Sequence, residues 1–455
     1  MLDLYVEILK QLLKEELYPA DIADLCFSIM PGDKGIILKF SGYNQKLHLL
    51  LEAVINHMAE FENSLTPSIF EALKEVQGRY YYNSCLKPKR LGQDLRFSLL
   101  THVHWNAVDK HAATSRITVS MVKAFARHFV EHLYIKSLVQ GNISEQQAID
   151  ACKNIVDILK CSPLLPNKYP QLRVMQIPLG EHCCRVKSFN SQDPNSSVTN
   201  YYQSGPISIK SLCIVDLLML LMEEPVFDVL RTKEQLGYHV CSSVRDTFGI
   251  LGFSVTVNCQ AGKHSVGHVD ACIEAFLKRF SKILKNMKEK ELEEVRSSLI
   301  KLKQLSDIHL KEEVSRNWNE ISSGDYLFDR LEREVSCIKD IKMPEIRKWY
   351  NDHVLCGNKS NLRKLSVQVT GAADAGETPQ TQEQQPPSHS RVHGHSKTRQ
   401  PLQKCSSIHN GLTVELSLQF VAEGDTDGHT KKHFITDIED FKNGLFIYPI
   451  SRIWP

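Results

Sequence analysis

His128, Glu131 and His132 spell H-x-x-E-H inside "ARHFVEHLYIKSLVQGN" (126–142). On a helix, histidines four residues apart share a face and can both bind a zinc ion. A glutamate between them can act as general base toward a metal-bound water. The chemistry would be metal-assisted hydrolysis, and it needs a third protein ligand. The downstream stretch where an acid would complete such a set reads "TNYYQSGPISIK" (199–210) and holds none; Glu223 and Glu224 lie beyond it. The surrounding residues also carry an apolar stripe of Val122, Phe125, Ala126, Phe129 and Leu133. His132 borders that stripe, and His128 and Glu131 fall on its polar side. This is the pattern of an amphipathic surface helix. The motif therefore reads as a coincidence, and no metal is expected on this chain. The "EHCC" at 181–184 and the histidines at 389, 393 and 395 are weaker still, a strand pair and a tract in a polar segment.

The elements that would carry these residues follow from periodicity. A helix is expected from Leu2 to about Ser28, then a turn at "PGDKG" and a strand at "GIILKFSG" (35–42). Helices follow from Leu47, and from Pro67 behind an N-cap at Thr66. The first stretch closes on a β-rich "LYIKSLVQGN". The second has the same order. Two strands, "VMQIPLGEHCCRVKSF" and "SVTNYYQSG", precede a helix from Ile209. A hairpin follows at "YHVCSSVRDTFGILGFSVTV", then helix "HVDACIEAFLKRFSKIL", further helices, and a strand "RKLSVQVTG". "GIILKFSG" answers "GILGFSVT", and "SLVQGN" answers "SVQVTG". The helix of His128 then aligns with "PEIRKWYNDHV", which offers Tyr350 and His353 but no chelating set. Two homologous α+β domains result, each a mainly antiparallel sheet with helices on one face. They span 1–165 and 172–371. Residues 372–403, rich in Pro, Gln, Ser and Thr, read as a disordered linker. Residues 404–455 regain enough apolar character to dock back on the body.

The totals exclude little beyond extremes. A formal net charge of +2 in 455 residues argues for neither nucleic acid nor membrane as a partner. The start, "MLDLYVEILKQLLKEELY", is an amphipathic helix with acids, unlike a secretory signal. Thirteen cysteines without a framework spacing or a C-x-x-C read as reduced thiols in a cytoplasmic protein.

One stretch is far more specific: "EEPVFDVLRTKEQLGYHV" (223–240). Taken alone, Arg231 is a helix-end arginine, Tyr238 a packed tyrosine, and Gly237 the expected helix C-cap. With "YYQSG", "GILGFSVTV", "EEVSRNWNEISSGDYLFDRLEREV" and "SLVQGN", however, it resembles the M16 (inverted zincin) metallopeptidases of the insulin-degrading enzyme and nardilysin type, most of all the nardilysin branch. The likeness runs from residue 1 to about 370 and resumes at "FITDIEDFKNGLFIYP". It implies the third and fourth of four homologous domains that close in two halves around a peptide chamber. Zinc and its ligands belong to the other half. The position of "HFVEH" is not that family's zinc motif. The resemblance assigns Arg231 and Tyr238 to the scissile peptide and Phe227 to a side-chain contact. Lys233, Glu234 and Gln235 match the pattern but are expected only on the helix surface. His239 stands where the wider family often has an apolar residue.

The reading is thus a non-catalytic C-terminal half of a zinc metalloendopeptidase, inactive alone. Its partners are an M16 N-terminal catalytic half, in cis or in trans, and a basic peptide. The alternatives are a pseudo-enzyme that binds peptides or a receptor, and a self-contained zinc peptidase using His128, Glu131 and His132. The composition of 372–403 leads to a test: limited proteolysis should cut there before anywhere in 1–370, since a segment poor in apolar residues exposes its backbone. First cuts within 1–370 would contradict the linker reading.

Overall fold

The structure, a computed structural model, describes residues 1–354, 361–372, 415–421 and 433–450. The first unit runs α1 (Leu2–Leu13), α2 (Tyr18–Ile22), β1 (Cys26–Gly32), β2 (Gly35–Ser41), α3 (Asn44–Ala59) and α4 (Phe61–Ser64). It continues with α5 (Pro67–Cys85), α6 (Pro88–Leu100), α7 (Ala107–Thr114), α8 (Val119–Glu131), β3 (His132–Leu133), α9 (Glu145–Leu159) and β4 (Ser162–Pro163). The second comprises β5 (Gly180–Lys187), β6 (Asn195–Pro206), α10 (Ile209–Val226), a π-helical turn (Phe227–Lys233), β7 (His239–Thr247) and β8 (Ile250–Gln260). Then come α11 (Val266–Asn286), α12 (Glu289–Lys303), α13 (Leu310–Ser323), α14 (Arg330–Asp340), α15 (Met343–His353), β9 (Arg363–Thr370), β10 (His433–Ile435) and α16 (Ile438–Lys442).

The fold is α+β. The expected first helix divides, however. The chain turns after Leu13, Pro19 restarts a short helix, and Asp24 takes a left-handed conformation (φ 55°). Residues 26–28 are already strand, because Cys26 pairs with Ser41 at the open end of the β1–β2 hairpin. The first unit's core forms around α1. Tyr5 lies against Phe61 (4.5 Å between centroids), Phe125 and Phe129, so the stripe of α8 is buried against α1. "LYIKSLVQGN" forms less strand than its pattern suggests. Of these residues only Leu133 joins a ladder, a parallel one in which it and the preceding His132 pair with Pro163 and Ser162.

The second unit is built on a six-stranded sheet ordered β10-β5-β9-β6-β8-β7. β6, β8 and β7 are antiparallel neighbours, and β6 is antiparallel to β9. β5 lies parallel to β9 and β10 parallel to β5. One face buries Phe253, Val255 and Val257 against α10, α11 and α15. The other face is also covered: Leu91, Leu95 and Leu99 of α6 pack on Val186, Val367, Val369 and Tyr201. A helix of the first unit thus completes the core of the second. At the far edge Phe420 bridges Val186 and Ile447 bridges Met175. All but Ala372 of the proposed linker lies outside the described residues.

A charged cluster lies between sheet and helices. Lys364 of β9 is 1% exposed and contacts Glu274 (2.7 Å), Asp270 (2.9 Å) and Glu181 (3.1 Å). Asn200 donates to Asp270, and the Tyr202 hydroxyl donates to Glu274 at 2.6 Å. Burial lowers the Lys364 pKa, but Glu274, Asp270 and Glu181 outweigh it and hold the ammonium well above its ordinary value. Removing one partner of a buried ion pair leaves uncompensated charge, at a cost of about 3–5 kcal/mol. Lys364→Met is therefore expected to lose about that much stability in urea unfolding, and a midpoint equal to that of the wild type would show that the carboxylates accommodate the loss.

Candidate functional site

The 223–240 stretch follows α10, which starts behind a capping box of Ser208 and Ser211 and buries Leu217, Leu218 and Met222. Pro225 sits in its last turn. Proline has no N–H to return to the preceding turn and its ring crowds that turn's carbonyl. Beyond it the helix widens to the π turn 227–233, closed by Glu234 N–H donating to Val229 O at 2.9 Å. Leu236 N–H then reaches Leu230 O at 3.1 Å. The left-handed residue at this helix end is Gln235 (φ 51°), not Gly237, which corrects the expected C-cap. Gly237 answers a different need: a Cβ there would lie 1.8 Å from the Asn258 carbonyl oxygen of β8. The chain can enter β7 only by pressing its backbone onto that strand.

This path brings Phe227, Arg231 and Tyr238 together. The Arg231 guanidinium lies 4.5 Å from the Phe227 ring centroid and 4.4 Å from that of Tyr238. Two rings on a cation contribute about 0.5–1 kcal/mol each at exposed sites and fix its plane. Among the described residues, neither Arg231 nor the Tyr238 hydroxyl has a hydrogen bond or ion pair within the chain. Tyr238 is 86% exposed. The arrangement presents the guanidinium N–H groups beside a phenol donor, a set able to grip peptide carbonyls or a carboxylate.

The remaining motif residues hold this loop. Lys233 pairs with Asp228 at 2.5 Å and Glu234 with Arg279 of α11 at 3.0 Å. His264 Nε2 lies 3.2 Å from Gln235 O. His239 Nε2 lies 3.3 Å from Lys89 Nζ of α6, and its pKa is lowered by burial and then by Lys89. Lys89, Arg279 and His264 were not legible as part of the site, because each is brought in by tertiary packing from a distant helix or loop.

The H-x-x-E-H residues stand elsewhere. α8 ends at Glu131, and His132 is extended (φ −132°, ψ 114°), so its side chain leaves the face that holds His128. All three are exposed, and Glu131 lies 4.0 Å from His132. Among the described residues no three His, Cys, Asp or Glu side chains are grouped to hold a metal ion. In "EHCC", Cys183 and Cys184 are buried, and burial pushes the Cys184 thiol up to about 12, away from the thiolate a metal needs. The histidines at 389, 393 and 395 lie outside the described residues.

Comparison with known proteins identifies the family and the fold. Residues 1–113 match the middle or third domain of peptidase M16, and residues 217–318 match the C-terminal lobe domain 4 of the PqqF-like PQQ synthases. Human nardilysin is 40% identical over 372 residues, 82% of this chain and 32% of that protein. Human insulin-degrading enzyme is 30% identical over 371 residues, 80% of this chain and 36% of its own length. The chain thus spans about a third of the curated relatives it matches. The crystal structure of pitrilysin superposes with a TM-score of 0.75 at 14% identity, over 99% of this chain and 42% of that one.

Because His128 and His132 are exposed and belong to no metal-binding group among the described residues, replacing both with Gln is expected to shift stability by no more than about 0.5 kcal/mol. Zinc content should be unchanged. Equimolar zinc in the parent protein that disappears with the two histidines, measured by atomic emission, would instead establish the motif as a metal site.

Proposed function

The chain is an M16 peptidase sequence of the nardilysin and insulin-degrading-enzyme type, corresponding to that family's C-terminal half, and from this premise we propose that it works as a non-catalytic half that binds peptide and completes an active site. The observation that supports this is the Arg231 guanidinium held against the rings of Phe227 and Tyr238, with no acceptor among the described residues for its N–H groups.

Arg231 would hold backbone carbonyls or a carboxylate of a bound peptide, with its plane set by the two rings. The Tyr238 hydroxyl would donate to the oxygen that gains negative charge as the scissile carbonyl is attacked. The described residues do not fit zinc: they contain no three-ligand group, and His132 has left the helix. In this reading the hydrolytic zinc is supplied by the partner half. A pseudo-enzyme would keep the peptide grip without the chemistry.

The test pairs the chain with an M16 catalytic half and follows cleavage of a short basic peptide. Tyr238→Phe removes one hydroxyl and little volume. It is expected to lower kcat by roughly 10²- to 10³-fold with an unchanged melting temperature. Arg231→Ala should raise KM as well, because a grip on the ground-state peptide contributes to both parameters. Parent kinetics in the Tyr238→Phe protein would remove Tyr238 from the active site. Peptide binding without cleavage in any pairing would favour the pseudo-enzyme.

A further inference from the structure

α6 lies along the sheet face beside β7, and the seam between them collects positive charge with no acid to meet it. Lys89 and Arg96 are two helical turns apart and share one face of α6. His239 and Arg245 are an even number of residues apart on β7 and share one face of the sheet. Lys89 reaches His239 at 3.3 Å at one end of the seam. Arg96 and Arg245 stand at the other.

Arg96 is 4% exposed. Its guanidinium lies 4.7 Å from the Phe97 ring centroid and 5.7 Å from that of Tyr201. One terminal nitrogen is fully buried without a partner, and among the described residues Arg96 has no hydrogen bond or ion pair. Arg245 is half-buried and donates its Nε–H to Ser254 Oγ at 2.8 Å. Its terminal nitrogens have no partner among the described residues. Ser254 is opposite Tyr201, and Gly252 is opposite Arg245. A Cβ at Gly252 would lie 2.8 Å from the Tyr201 hydroxyl oxygen, so the tyrosine ring crosses β8 at this glycine, toward Arg245. That hydroxyl is buried and reaches no hydrogen-bond partner among the described residues, Thr247 lying near it but out of bonding geometry. The acids adjoining in sequence are committed elsewhere. Asp94 is held by His104 (2.6 Å) and the Ala107 N–H (2.5 Å). Asp246 accepts from the Gly249 N–H at 2.8 Å and, as a strand neighbour of Arg245, points to the opposite face.

We propose that Arg96, Arg245 and the Tyr201 hydroxyl form a binding site for one oxyanion, a phosphate or carboxylate group, set between α6 and the sheet. Rings on a cation offset part of the cost of taking it from water, but a buried guanidinium without a counter-charge remains costly. Burial pushes the Arg96 pKa down to about 10, Arg245 lowers it further and Tyr201 opposes the fall, so the group is still charged at neutral pH. One oxyanion would turn two repelling guanidiniums into partners of the same ligand. Their N–H groups match its oxygens in pairs, and the phenol supplies a further donor. Arg245 leaves the site a route to solvent. Because α6 belongs to the first unit and β7 to the second, the bound group would tie the units together. The site would exist whether or not the chain completes a peptidase, since Arg245 is six residues along β7 from His239, roughly 20 Å from the Tyr238 end.

The probes are inorganic phosphate and acetate, each compared with chloride at equal ionic strength on the full chain. Phosphate is expected to raise the melting temperature by about 2 °C or more, since a ligand of the folded state alone stabilises it, and to titrate as one site per chain by calorimetry. Arg96→Met and Arg245→Gln should each weaken phosphate binding by roughly ten-fold or more. Lys282→Gln, an exposed charge on the opposite face of the sheet, should bind like the parent. If Arg96→Met does not fold, Arg245→Gln carries the test, because that side chain is half-exposed and its loss leaves the core intact. The source of the oxyanion is read from a third arm. Competition with phosphate by a short peptide carboxylate, and not by its C-terminal amide, would name a peptide end as the ligand; binding of phosphate without such competition would name the free ion. A rise in melting temperature that chloride matches, or that persists in both Arg96→Met and Arg245→Gln, would overturn the site, as would equal weakening by Lys282→Gln.

Discussion

Lys364 is the point on which the second unit turns. A fully buried ammonium is tolerable only with opposite charge at contact distance, and here that charge arrives from three directions. Glu181 belongs to β5, and Asp270 and Glu274 to α11, while β9 brings the lysine. Asn200 and Tyr202 of β6 supply donors to the carboxylates. No member can be satisfied unless the strand order β5-β9-β6 and the seat of α11 on that sheet are both correct. Apolar contacts alone would allow α11 to slide by part of a turn; the ion cluster removes that freedom.

The 223–240 loop inherits this rigidity. α11 holds Glu234 through Arg279, and the sheet holds Gly237 through the close approach to Asn258 O. The Pro225 break and the wide turn after it set where Arg231 emerges, and the β7 entry sets where Tyr238 emerges. The two side chains meet because both anchor points are fixed to the same sheet and helix. α6 adds a link from the first unit through Lys89 and His239, so the site's base is shared between units although its exposed tip is not.

Much of this was legible in the sequence, and the misses have physical causes. The hairpin, the α11 stripe and the Phe227, Arg231 and Tyr238 triplet were readable because period and motif are local properties. The first strand was hidden inside an apolar run that suits a helix equally well, and only pairing with Ser41 decides it. Gly237 resembled a C-cap because glycine is common there, but the left-handed residue at the helix end is Gln235 and the glycine serves a contact across the sheet. The burial of the sheet's second face by α6 could not be read at all, since an amphipathic helix does not state which surface it covers. "SLVQGN" has strand character in sequence and almost no ladder in the structure, because a strand's hydrogen bonds depend on a neighbour that its own residues cannot provide.

Under the proposed function, the exposure of Arg231 and Tyr238 would leave such a half inert alone. In water, a phenol and a guanidinium exchange bonds with solvent at nearly no net gain, since the effective dielectric is high. The same donors become strong only where water is excluded and their positions are already fixed. The fold supplies the second condition by stacking the guanidinium between two rings on a loop pinned to α11 and β8. It does not supply the first, with Tyr238 86% exposed. A surface opposite this loop must therefore provide the exclusion. The burden on any partner is then geometric, to cover a preformed pair of donors rather than to create one.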